Sequence, residues 1–80
     1  MVIRLGPAEK PKMYRDAERR FHKMDPNSIL DWADQSGSWS ARQLMEYRRQ
    51  RRVEYLQEAK DGVLVALAAI DELIAREEEH

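Results

Sequence analysis

Apolar side chains recur along this chain at three- and four-residue intervals, the period of an amphipathic α-helix. The first series is Met13, Tyr14, Ala17, Phe21 and Met24, with Lys12, Arg15, Arg19 and Lys23 on the opposite face. With Pro11 suited to a first helical turn, it predicts a short helix over about 10–24. Asp25-Pro26 then restarts the chain: aspartate is a good N-cap, proline a good first helical residue, and the position before proline resists helical geometry. Met24 and Ile29 stand where a hydrophobic staple would place them. A very short helix is expected over about 26–34, burying Ile29, Leu30 and Ala33 and ending in the turn formers Gln35-Ser36-Gly37-Ser38.

Ser40-Ala41-Arg42-Gln43 matches a capping box, with Trp39 and Leu44 as its staple and Trp39 therefore buried. From there the apolar stripe continues through Ala41, Leu44, Met45, Tyr55, Leu56, Ala59, Val63, Ala66, Leu67, Ile70, Leu73 and Ile74. Arg48 and Arg52 fall on the same face and open it to solvent or a ligand. One long helix is predicted over about 41–78. Gly62 is its only weak point, costing about 1 kcal/mol against alanine, and a break there is the alternative. The fold class is thus all-α. An extended arm over residues 1–7 precedes a single helical domain over residues 8–80, and Val2, Ile3 and Leu5 pack on the body or on a partner.

Helix length changes the picture. A helix of about 39 residues is ~58 Å long, against a radius of gyration of ~13 Å for a 100-residue domain. The segment Val63-Leu64-Val65-Ala66-Leu67-Ala68-Ala69-Ile70 is apolar on every side, a pattern that normally means burial on every side. One short chain has too little material for that, since a domain this small buries only ~60% of its unfolded surface. Self-association into a homodimer or larger helical bundle is the preferred remedy, through Leu56, Val63, Leu67, Ile70 and Ile74. A hetero-partner and a fold-back at Gly62 into four helices are the others.

Composition narrows the function classes. The 80 residues include no cysteine, which excludes disulfides and thiol or Cys-zinc chemistry. The longest apolar run falls far short of a membrane span. Arg4, Gly6, Pro7 and Glu9 interrupt any N-terminal signal pattern, so a cytoplasmic protein is expected. The arginine and alanine bias is that of small proteins from high-GC bacteria or their phages.

Catalytic constellations are weak. His22 has Glu18 and Asp25 at helical spacing, which fits a solvated histidine better than a metal ligand or a general base. Glu77-x-x-His80 matches the carboxylate–histidine motif of diiron bundles, but a single copy at a terminus is chance. Asp31/Asp34 and Asp71/Glu72 read as solvated faces or caps. There is no Gly-rich phosphate loop and no nucleophile elbow. The reading is a non-enzyme without cofactor or metal.

Charge carries more information by position than in sum. The formal net charge is -1, yet residues 1–53 hold 12 basic and 7 acidic side chains (+5), and residues 54–80 hold 2 and 8 (-6). Arg42, Arg48, Arg49, Arg51 and Arg52 stand against Glu46 alone within eleven residues, a set suited to phosphate or carboxylate. Two readings follow. One is an assembly code, the basic half of one long helix facing the acidic half of another copy. The other is nucleic-acid contact. Residues 29–52 resemble a helix–turn–helix, with Ala33 and Gly37 at the right spacing and Trp39, Leu44 and Tyr47 as later buried positions. The register needs one residue inserted after Gly37, and Asp31 and Asp34 make the first helix of the motif acidic. Trp32 is the candidate exposed anchor for a protein partner, since tryptophan is enriched at interface hot spots. The acidic C-terminal half argues against a membrane-surface role.

The functional expectation is therefore a small interaction, adaptor or regulatory protein that self-associates through its C-terminal helix. Trp32, Arg42, Arg48, Arg49, Arg51 and Arg52 would contact a partner of unknown identity. The alternative is a DNA-binding regulator that uses residues 29–52.

Overall fold

The computed structural model describes residues 10–79. They form three helices and no strand among the described residues: α1 Lys12–Phe21, α2 Pro26–Gln50 and α3 Val53–Glu78. The fold class is all-α, as the periodicity indicates. The N-terminal arm expected over residues 1–7 lies outside the described residues.

α1 starts after Pro11 and ends at Phe21, short of Met24. The residues that follow close a tight turn, with Lys23 N–H donating to the Arg20 carbonyl at 3.3 Å and Met24 N–H to that of Phe21 at 3.0 Å. Across this turn lies Arg76 of α3. Its guanidinium donates to the carbonyls of Phe21 (3.0 Å), His22 (3.4 Å) and Met24 (2.7 Å), while its Nε reaches Glu72 at 3.3 Å. A cation on the carbonyl end of a helix satisfies orphan acceptors and complements the dipole. Arg76 thus fastens the end of α1 to α3, a role that nothing in its sequence neighbourhood announces.

α2 begins as the sequence predicts: the Asp25 carboxylate accepts from the Ser28 N–H (3.1 Å) and hydroxyl (2.7 Å), and Pro26 is the first helical residue. Its end differs. Gln35-Ser36-Gly37-Ser38 is helical, so the very short helix expected over 26–34 runs on to Gln50. The capping box does not form. Ser40 is buried in mid-helix, where its hydroxyl donates to the Ala59 carbonyl at 2.8 Å, and Gln43 is buried beside it. Trp39, expected to be buried as a staple, is 46% exposed. The physical reason is α3. Serine and glycine cost a helix about 0.5–1 kcal/mol each, and here close packing against a second helix outweighs that preference.

The long helix expected over about 41–78 is interrupted, but at Arg51-Arg52 and not at Gly62. Arg51 adopts the left-handed conformation (φ 57°, ψ 33°), and its N–H closes the end of α2 on the Tyr47 carbonyl at 2.7 Å. Arg52 is extended, and α3 starts at Val53. Left-handed helix ends are usually glycine, because a side chain there costs about 1–2 kcal/mol. Folding back at this point lets α2 cover one side of α3, which a continuous helix would leave bare.

Gly62 is what permits the close approach. A Cβ at this position would stand 3.0 Å from the Ser36 carbonyl oxygen and from Trp39 Cδ1, and would collide with the Ser40 hydroxyl. Buried Ser36, Ser40 and Gln43 of α2 thus face buried Ala59 and Gly62 of α3. The larger core lies at the other end of the hairpin, where α1 joins: Tyr14, Ala17, Phe21, Ile29, Ala68 and Ala69, with Met24, Ala33, Leu64, Val65 and Leu73 against them. Phe21 and Ile29 are the largest fully buried side chains. Burial, and then the hydrogen bond its hydroxyl donates to Asp71, raise the Tyr14 phenol above its ordinary range.

Candidate interaction surface

α3 is the central helix: α2 and α1 both pack on it. Their contacts explain the apolar-all-round segment. Buried Gly62 and Ala69 belong to its α2-facing side, and Ala68, Leu64 and Val65 belong to the core that α1 completes. The third side stays open. Leu56 (37%), Val63 (52%), Leu67 (38%), Ile70 (46%) and Ile74 (49%) are all exposed, and they recur at helical spacing one residue step beyond the inward positions. These are the five residues read from the sequence as an interface, and no part of the described chain covers them.

α2 extends this open side. Its inward positions are 29, 33, 36, 40, 43 and 47. One step further on stand Leu30, Gly37, Ala41 and Leu44. In an antiparallel pair of right-handed helices, the same step on each turns toward the same side of the pair. Leu30 is 54% and Leu44 50% exposed, and a Cβ on Gly37 would meet nothing within 4 Å. The hairpin therefore carries α1 on one side and a bare apolar face on the other. The α2 share of this face escaped the sequence reading because it depends on α2 being one helix. The recurrence of leucine at 30 and 44 with glycine midway is the signal that could have found it.

The arginines occupy the hairpin tip. Arg48, Arg49, Arg51 and Arg52 are all exposed around the turn. Arg49 Nη1 lies 3.4 Å from Glu46, whose other carboxylate oxygen accepts from Gln50 at 3.0 Å, and Arg51 stacks over the Tyr47 ring at 5.5 Å. Arg42 sits apart, beside an open depression that it lines with Asp34, Gln35, Ser38 and Trp39. Arg52 shares another with Glu54, Tyr55 and Glu58.

Trp32 lies far from these arginines, about 24 Å along α2 from Arg48. Its ring packs 6.1 Å from Phe21 and under the Arg20 guanidinium at 5.9 Å, which leaves it 38% exposed. The partner-contact residues read from the sequence are therefore divided between Trp32 towards one end, four arginines at the tip and Arg42 between them. The helix–turn–helix reading meets a geometric correction: residues 29–50 lie on one continuous helix, and no turn exists at Gly37 to set one helix across another.

His22 Nδ1 lies 3.2 Å from Glu72, on the exposed side of the α1 turn. Among the described residues no group of three or more His, Asp or Glu side chains could hold a metal ion. No described helix is long and apolar enough to cross a membrane.

Fold and surface together define an all-α protein with one three-sided central helix, two sides of which its own chain covers. Comparison with family models, with curated proteins and with solved structures finds no match to this chain.

Proposed function

We propose that this chain is a small non-enzymatic interaction protein that self-associates through α3. The observation that carries the reading is the row Leu56, Val63, Leu67, Ile70 and Ile74, five large apolar side chains at helical spacing that the described chain leaves open. A contiguous apolar surface of this kind marks an interaction site in a monomer's structure. Sedimentation equilibrium over a wide concentration range tests it. A dimer or higher assembly in the micromolar range is expected, and a strict monomer at high micromolar concentration overturns the reading.

The clustering of Arg48, Arg49, Arg51 and Arg52 at one exposed turn favours a second reading, contact with nucleic-acid phosphates by the hairpin tip. A salt titration on random duplex DNA tests it: counterion release by several phosphate contacts gives a steep loss of affinity with salt. No binding at low salt removes it.

A further inference from the structure

Resting on the self-association reading, we propose that the occupant of the bare face is a second copy of this chain, packed face to face and antiparallel. Each tip would then lie against the acidic end of the other copy's α3. The area fits. The face spans about 27 Å along α3 from Leu56 to Ile74 and about 21 Å along α2 from Leu30 to Leu44, at 1.5 Å per residue. With the helices about 8–10 Å apart, it covers on the order of 500 Å² in plan. That equals the largest patches found on ordinary monomers. Two such faces together reach the roughly 1,000 Å² that a specific interface requires.

The register fits as well. The α3 stripe is centred at position 65, the α2 stripe at Gly37. Ser40 bonded to Ala59, and Gly62 against Ser36 and Ser40, place position 37 level with α3 positions 61–65, within about one helical turn of the stripe's centre. A two-fold axis across both helices at that level would stack α2 on α2 and α3 on α3, each pair antiparallel. Gly37 would meet its own copy on the axis, where its open Cβ direction lets two backbones approach. Leu30 would meet Leu44, Val63 would meet Leu67, and Leu56 would meet Ile74.

Charge chooses between this arrangement and its parallel alternative. At the tip, residues 48–52 carry four arginines. At the far end of α3, residues 77–79 are Glu77, Glu78 and Glu79. The antiparallel axis brings Arg52 level with Glu78 of the second copy. A parallel axis would gather both sets of tip arginines at one end and both glutamate runs at the other. Like charges gathered this way oppose association, whereas opposite charges steer and register it.

The chain has no cysteine, so a single introduced thiol reports its own surroundings. In Arg49→Cys, spin-labelled on the exposed tip away from the bare face, a pulsed dipolar measurement should give a tip-to-tip distance of about 35–40 Å. In Gly37→Cys, mild oxidation should produce a disulfide-linked dimer. Association of the unmodified chain should weaken as salt rises. A dimer with tips about 20 Å apart, no crosslink through position 37, or association that strengthens with salt overturns the antiparallel arrangement and leaves self-association standing. A monomer at every concentration and salt overturns both. A chain that is monomeric until residues 1–9 are removed assigns the face to that segment and also overturns the proposal.

Discussion

The two open-and-shut sides of α3 invert the usual distribution of side-chain size. Toward α2 it presents Ala59, Gly62, Ala66 and Ala69, and toward solvent Leu56, Val63, Leu67, Ile70 and Ile74. Small residues on the covered side let two helices approach closely, which yields dispersion contacts and a serine-to-carbonyl bond but little buried apolar area. Large residues on the open side hold the area back. α3 packs Leu64, Val65 and Leu73 inward yet leaves five equally bulky apolar side chains outside, and it is on that open row that the proposed second contact rests.

The strongest way to break this comparison is to truncate one large residue of each kind. Phe21→Ala, in the fully buried core where α1 meets the hairpin, should cost about 3–5 kcal/mol in urea unfolding. Ile70→Ala should leave the stability of the dilute monomer within about 0.5 kcal/mol, as exposed substitutions do, yet weaken association in sedimentation. Equal losses in the dilute chain would mean that the open side is covered from within.

Enlarging the inner face comes next. Gly62→Leu must push α2 away from α3, and overpacking of this kind should cost about 1–3 kcal/mol by thermal melting. At Gly37, where a Cβ meets nothing, Ala should instead be neutral or stabilising, since it is the better helix former by about 1 kcal/mol. Within one chain the two glycines thus separate a side that needs a missing Cβ from a side where a Cβ meets nothing.

Ser40→Ala probes the polar part of the inner face. Losing the hydroxyl leaves the Ala59 carbonyl without that donor, and the cost should be about 1 kcal/mol in the same melt. A larger loss would show that the bond positions the hairpin as well as stabilising it.

The smallest effect concerns pH. Hydrogen bonds from the Ser28 hydroxyl and then from its N–H lower the Asp25 carboxyl below its ordinary value of 3.8. A depressed folded-state value contributes stability that is present above that ordinary value and lost as pH falls through the lower one. Acid titration followed by circular dichroism should therefore show α2 loosening below pH 4. Asp25→Asn should flatten that arm of the curve, and an unchanged acid arm would remove the cap from the account.

Much of this was legible in the residues. The Asp25-Pro26 start of α2 is local chemistry, a cap and a fixed φ, and it stands where the sequence puts it. The row from Leu56 to Ile74 is a periodicity, which survives any rearrangement of the helix around it. The errors arose where local preference and long-range packing disagree. Gln35-Ser36-Gly37-Ser38 has the chemistry of a turn, and Ser40-Ala41-Arg42-Gln43 that of a helix start, yet both lie inside α2 because α3 rests against Ser36 and Ser40. Arg51 carries no turn signal, yet it bears the chain reversal. Gly62, the weak point of the expected helix, stays helical and is a contact with α2.

By itself the sequence determined that the chain is helical, where α2 begins, that its charge is divided into opposed ends, and that one apolar stripe recurs along α3, where the described residues leave it exposed. Those properties depend on neighbours within a turn or two, or on sums over segments. The tertiary structure decided where the chain folds back, which serines are core and which glycine is a spacer. Each of those depends on a second helix lying against the first, and the gain from that contact exceeds the roughly 1 kcal/mol by which any single residue prefers a turn.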